Sequence, residues 1–330
     1  MRRVSDDKQA QRQARRTGLR VPLVVLLVSQ SAQRLVTYID ALAPVYNVFD
    51  GYLIHSRMPQ VAGLQQAPAD VGVWGQTVPD GNKGLIDEDP PVNTLSRTGL
   101  LAPQLTFETQ SDVFNPPFGL FGYGSTTQAD SAGFRLWEVA GTAHLDNCAA
   151  NICATDTGSA ADAARQFNAM LDPPSTFMGL TCSGPVNTGD EDYVYGAALD
   201  QLERWVRTGG VHGGRAATAP PLFAGQAVGQ KTVPRPVLDH QGNVTGGVRS
   251  PAVDVAVATL TGEPLNTPFP CPLSGTTTPL TKTRLTALYP THAAFVKKWT
   301  ADTQRLAREG YLTAAAAANL IKAAAAAPVP

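Results

Sequence analysis

The segment from residue 24 to residue 43 constrains the fold more than any other part of the chain. It begins with an apolar, β-branched run that ends at Ser29. From Ala32 onward, apolar residues recur at the spacing of one helical face. The segment therefore predicts a buried strand, a turn at a serine, and a helix that is stopped by Pro44.

Four apolar segments predict strands of one sheet. The first two strands are separated by the predicted helix, which implies a right-handed crossover and a parallel sheet. Longer segments rich in Gly and Pro separate the later ones. The predicted strands are Pro22–Val28, Phe49–Ser56, Pro103–Thr109 and Phe134–Ala140.

Three chemically reactive residue types follow three of these strands. Ser29, Asp112 and His144 each come just after a predicted strand. Because the carboxyl ends of parallel strands share one edge of a sheet, we expect the three side chains to lie together. Glu108 is an alternative acid, although it falls inside its strand. His55, also inside a strand, is better interpreted as a structural histidine.

Serine, acid and histidine in this order predict nucleophilic catalysis. A serine hydroxyl needs a base to remove its proton, and the base needs an acid to orient it. We therefore predict a serine hydrolase that cleaves an ester or related acyl bond of a small-molecule substrate. Ser29 attacks, His144 transfers the proton, Asp112 orients His144, and the backbone N–H of Gln30 stabilises the oxyanion. This chemistry needs no metal or organic cofactor. The alternative is an inactive hydrolase remnant or a ligand-binding protein.

Charge and hydropathy restrict the partners. The 26 basic and 27 acidic side chains nearly balance, which gives no general attraction to nucleic acid or anionic membranes. No apolar run is long enough for a transmembrane helix. A basic N-terminus followed by the apolar run Val21–Val28 leaves a secretory signal open, with cleavage close to Ser29. The compartment, cytoplasmic or secreted, and the oligomeric state stay open.

The four cysteines also leave the compartment open. Four cysteines allow three fully paired connectivities. One interpretation is four unpaired thiols in a cytosolic protein, and the other is one or two disulfides in an exported protein. A zinc site at the first pair is disfavoured, because no second close pair or nearby histidine accompanies it. The cysteines are Cys148, Cys153, Cys182 and Cys271.

Composition divides the chain into three parts. Residues 1–20 are polar and predicted to be disordered, and residues 21–210 form the α/β core. A Gly- and Pro-rich insertion at 58–102 interrupts the core and is a candidate lid. Residues 211–330 form a loop-rich and helical extension that packs on the core. The predicted later helices are Ala160–Leu171, Asp192–Thr208, Thr291–Glu309 and an Ala-rich tail to Ala327.

Seven segments of the chain together carry a family resemblance: VSQSAQRLVTYIDA, VFDGYLIHSR, LTFETQSDV, RLWEVAGTAHLD, YVYGAALDQLERWVRTG, GGVRSPAVDVAVATLTGE and LSGTTTPLTKTRLTALYPTHAAFV. They resemble a poorly characterised α/β-hydrolase family that is common in actinobacteria. The resemblance covers about residues 28–320 and implies a mostly parallel sheet flanked by helices. It also implies Ser29 as nucleophile, Asp112 as acid and His144 as base, without supplying a substrate.

The chain departs from this family in two ways, in the motif around the serine and in the part that precedes it. The motif G-x-S-x-G has Leu27 in place of its first glycine and Ser31, which is small, in place of the last. Relatives also have several strands before the serine, whereas here the resemblance begins at Val28. We therefore expect a truncated product or a mis-set start, with residues 1–27 partly unrelated to the family. Such a chain would lack one oxyanion donor and expose an apolar sheet edge.

Overall fold

A parallel four-stranded sheet forms the centre of the molecule. The computed structural model describes residues 22–59, 61, 95–114, 122–212, 214–222, 236–265 and 269–330. The strands lie in the spatial order 1-2-3-4, and every neighbouring pair is parallel. The predicted α/β architecture and all four strands are confirmed. Their bounds are β1 Val24–Val28, β2 Gly51–His55, β3 Gln104–Thr109 and β4 Phe134–Val139.

Burial across the sheet follows strand position. Every residue of β2, β3 and β4 is buried, as expected for strands covered on both faces. Residues of β1 are only partly buried, and within the described chain β1 pairs with β2 alone. At the opposite edge, the N–H of Val248 donates to the Glu138 carbonyl of β4. Strand β1, which Ser29 follows, is therefore the more exposed of the two edges.

The first crossover helix is longer than predicted. Helix α1 (Gln30–Thr37) continues through a π-helical turn, Tyr38–Leu42, into α2 (Ala43–Tyr46). The predicted stop at Pro44 is wrong, because Pro44 lies in the first turn of α2 and its missing N–H is tolerated there. The helix ends instead at Asn47, which adopts a left-handed φ of 39°.

The remaining helices and strands follow β3. Helix α4 has its predicted bounds, α5 covers β2 and β3, and the Ala-rich tail forms α9. None of the described helices is both long and apolar enough to cross a membrane. The bounds are α3 Gln110–Phe114, α4 Ala160–Leu171, β5 Thr176–Phe177, β6 Leu180–Thr181, α5 Glu191–Arg207, α6 Pro251–Asp254, β7 Ala258–Thr261, β8 Thr276–Pro279, α7 Lys282–Leu288, α8 His292–Glu309 and α9 Ala314–Ala326.

The C-terminal part shares a hydrophobic core with the sheet. Phe134 of β4 lies in one buried cluster with Phe167 of α4, Val253 of α6 and Trp299 of α8. Two of these rings, Phe167 and Trp299, meet edge to face at 5.0 Å between centroids. Helices α6 and α8 therefore pack into one buried cluster with β4.

All four cysteines are paired. One disulfide joins Cys148 to Cys153, and the other joins Cys182 to Cys271 across 89 residues. The interpretation as unpaired thiols is therefore wrong. The predicted disordered N-terminus, residues 1–20, and most of the candidate lid at 58–102 lie outside the described residues.

Candidate active site

Ser29 occupies a sharp turn between β1 and α1. Its φ of 57° and ψ of −128° lie in a region that residues with a Cβ rarely adopt. The turn is held by the Ser29 N–H, which donates to the His55 carbonyl at 2.9 Å. Leu27, the departure from the glycine of the motif, packs against the apolar cluster beneath α1. The turn therefore accommodates a leucine at this position.

Asp112 lies on the short helix α3, directly after β3. Its carboxylate is fully buried, and one oxygen, Oδ2, accepts three hydrogen bonds. The donors are the Ser56 hydroxyl at 2.6 Å, the Thr109 hydroxyl at 2.6 Å and the Thr109 N–H at 3.0 Å. These donors fix the carboxylate and leave its other oxygen, Oδ1, facing His144.

His144 joins the other two residues. It follows β4, with its Nδ1 2.7 Å from Asp112 Oδ1 and its Nε2 3.0 Å from Ser29 Oγ. Its backbone N–H donates to the Ser111 hydroxyl at 2.8 Å. The next residue, Leu145, donates its N–H to the Leu273 carbonyl at 3.1 Å. The three predicted side chains thus form one hydrogen-bonded line.

The remaining predicted residues take other positions. Glu108, the alternative acid, is buried and accepts from the Arg57 N–H at 3.2 Å. Gln30 is the first residue of α1, so its N–H lies at the positive end of the helix dipole, directly after Ser29. His55 is buried with its Nε2 2.8 Å from Glu191, and its ring stacks on Tyr195 at 4.5 Å between centroids.

Electrostatics single out Asp112 among the carboxyl groups near the site. Burial alone would raise its pKa, but the charge of His144 and the hydrogen bonds from His144, Ser56 and Thr109 outweigh burial and lower it. Burial and the Asp112 charge raise the pKa of Glu108 and of Glu191 well above the usual range. These shifts favour an ionised Asp112 beside a neutral Glu108 and a neutral Glu191, an arrangement that suits the support of an imidazolium.

Ser56, Thr109 and Glu191 were missed from the sequence. Ser56 ends a predicted strand and Thr109 ends the next, so both lie at the sheet edge where the triad residues were expected. Position at that edge was therefore an available signal. Glu191 reaches the site from the N-terminus of α5, and no local pattern indicates that contact.

Comparison with known protein families gives a match that includes the sheet and most of the remaining chain. A family model described as "Alpha/beta hydrolase domain" matches residues 8–322. This match includes residues 8–27, which were expected to be partly unrelated to the family. No curated protein and no solved structure matches the chain. The match spans nearly the whole chain and agrees with the parallel sheet, and the chain therefore belongs to the alpha/beta hydrolase domain family.

Proposed function

We propose that the protein is a serine hydrolase that cleaves an ester or related acyl bond of a small-molecule substrate. Family membership supports hydrolase activity in general. The observation that carries the finer proposal is the line from Asp112 through His144 to Ser29, with contacts of 2.7 Å and 3.0 Å. Both distances lie within the reach that proton transfer requires.

The geometry fits acyl transfer through a covalent intermediate. His144 Nε2 accepts the proton of the Ser29 hydroxyl while Oγ attacks the acyl carbon. The backbone N–H of Gln30 donates to the developing oxyanion. Asp112 accepts from Nδ1–H and stabilises the imidazolium. His144 then protonates the leaving alkoxide, and the same groups activate the water that hydrolyses the acyl-enzyme.

The test compares Ser29→Ala with Ser31→Ala on short-chain aryl esters. We expect Ser29→Ala to lose at least about 10⁴-fold in kcat, because the nucleophile is removed. Ser31 is exposed in the first turn of α1, two residues after Ser29, so its alanine variant should match the wild type. A fluorophosphonate probe should label Ser29 in the wild type and in Ser31→Ala, located by peptide mass spectrometry.

Two outcomes would contradict the proposal. Undiminished activity in Ser29→Ala would show that another group performs the hydrolysis. A folded wild-type protein that neither hydrolyses the esters nor reacts with the probe would favour the alternative, a binding protein with a hydrolase fold.

A further inference from the structure

Ser56 combines complete burial with a strained backbone. It follows β2 directly, is fully buried and has a φ of 51°, a left-handed conformation that residues with a Cβ rarely adopt. Glycine adopts this conformation without a penalty. A serine at this position is therefore consistent with a role for its hydroxyl.

The dipeptide His55–Ser56 connects the serine turn to the acid. The His55 carbonyl accepts from the Ser29 N–H at 2.9 Å. The Ser56 N–H donates to the Phe107 carbonyl of β3 at 2.8 Å, and the Ser56 hydroxyl reaches Asp112 Oδ2 at 2.6 Å. Two adjacent residues therefore hold the backbone of the nucleophile and the side chain of the acid.

Ser56 is the donor to Oδ2 that lies outside the segment of β3 and α3, directly after β2. Both donors from Thr109 lie three residues before Asp112 in the same turn, so they move with it. The left-handed turn at Ser56 places its hydroxyl beside the carboxylate from β2. Among the hydrogen bonds that Oδ2 accepts from described residues, this one joins the carboxylate to the segment after β2, and through it to the serine turn.

The titratable groups around Asp112 come from several elements. His144 follows β4, Glu108 lies on β3, His55 lies on β2, and Glu191 lies on α5. Burial lowers the pKa of His55 to about 4 and raises the pKa values of both glutamates. All three shifts favour the uncharged form of the group, so the charge of His144 and the donors on Oδ2 are the contacts that favour an ionised Asp112.

We propose that Ser56 is a positioning residue for the hydrolase reaction: its hydroxyl aligns the Asp112 carboxylate with His144 and couples it to the Ser29 turn. This inference rests on the proposed function. Loss of the hydroxyl leaves a buried carboxylate with one fewer donor, which raises the pKa of Asp112 and loosens its alignment with Nδ1.

Two variants separate alignment from backbone strain. Ser56→Ala removes the hydroxyl and keeps the strained φ, whereas Ser56→Gly removes both the hydroxyl and the strain. Met178 also has a φ of 51° but is exposed, so Met178→Gly measures the effect of relieving the same strain elsewhere. We expect Ser56→Gly to melt at a higher temperature than Ser56→Ala.

Activity should follow the hydroxyl rather than the melting temperature. Both Ser56 variants should lose about 10- to 100-fold in kcat with KM little changed, the usual effect of removing a hydrogen bond to a charged group. The acid limb of the kcat/KM profile should move to higher pH in both. Met178→Gly should keep the wild-type kcat and pH profile.

The fluorophosphonate probe distinguishes failure of this inference from failure of the proposed function. If the wild type is labelled at Ser29 and turns over substrate, while Ser56→Gly keeps the wild-type kcat and acid limb, the role of Ser56 alone is overturned. A wild type that is not labelled at Ser29 would overturn both. Equal losses of kcat in the two Ser56 variants, with an unchanged kcat in Met178→Gly, would support the inference.

Discussion

The two disulfides should contribute unequally to stability because they close loops of very different length. Cys182–Cys271 spans 89 residues, and Cys148–Cys153 spans 5. Loop-closure entropy in the unfolded chain then gives about 4.6 kcal/mol for the long loop and about 2 kcal/mol for the short one. For 330 residues these energies correspond to about 7 °C and about 3 °C in Tm.

Each disulfide can be broken by a reductant in a variant that lacks the other, so that the same sequence is compared with and without the bond. In Cys148→Ala/Cys153→Ala, reductant breaks only the long-loop disulfide, and in Cys182→Ala/Cys271→Ala it breaks only the short one. Thermal unfolding with and without reductant then measures each contribution. Equal Tm shifts in the two double variants, or a larger shift when the short loop opens, would refute the reasoning.

The long-loop disulfide should also affect activity. Leu273, two residues after Cys271, accepts a backbone hydrogen bond from Leu145, the neighbour of His144. Reduction of Cys182–Cys271 at a temperature where the protein stays folded should therefore lower kcat more than reduction of the short-loop disulfide. Unchanged kcat after complete reduction, checked by thiol titration, would show that the loop holds without the bond.

Three further predictions concern single side chains. Asp112→Asn should lower kcat by about 10⁴-fold, because an amide holds the histidine base in the wrong tautomer. A steady-state kcat within tenfold of the wild type would exclude Asp112 as the acid. Burial raises the pKa of Glu138 to about 7, so the folded state favours its protonated form. The contribution of Glu138 to the unfolding free energy should therefore fall by about 3 kcal/mol between pH 4.5 and 7. Glu138→Gln should flatten this dependence in urea titrations, and an unchanged slope would contradict the assignment. A Cβ on Gly262 would lie 2.5 Å from the Ser111 backbone nitrogen, so Gly262→Ala should lose about 1–3 kcal/mol of stability and some activity. Gly196 is exposed in α5 with open space around it, so Gly196→Ala should gain about 1 kcal/mol of stability. A higher melting temperature for Gly262→Ala than for Gly196→Ala would contradict the packing argument.

The sequence predicts the sheet and the meeting of the triad side chains because both depend on local patterns. Apolar runs mark the strands, and parallel pairing brings their carboxyl ends to one edge. Ser29, Asp112 and His144 needed only that rule to be placed together. Their catalytic roles stay a proposal until Ser29→Ala is measured.

The features that were missed depend on contacts between distant residues. The His55–Glu191 contact joins β2 to the start of α5, and the Ser56–Asp112 bond crosses 56 residues. Disulfide pairing among four cysteines is equally non-local. The error in the predicted helix end has a different cause. A π-helical turn precedes Pro44, and the helix continues through this proline, although proline usually ends a helix.

The backbone contacts behind His144 limit how the gene can be recombined. A fragment of residues 21–210 carries all three triad residues, yet it lacks the Leu273 carbonyl that holds Leu145. It also lacks the Ser274 carbonyl that holds Asn187, the partner of Asn147. Chimeras that exchange the C-terminal part between relatives should therefore transfer residues 144–147, 187 and 271–275 together, because the backbone contacts beside His144 are made by all three segments.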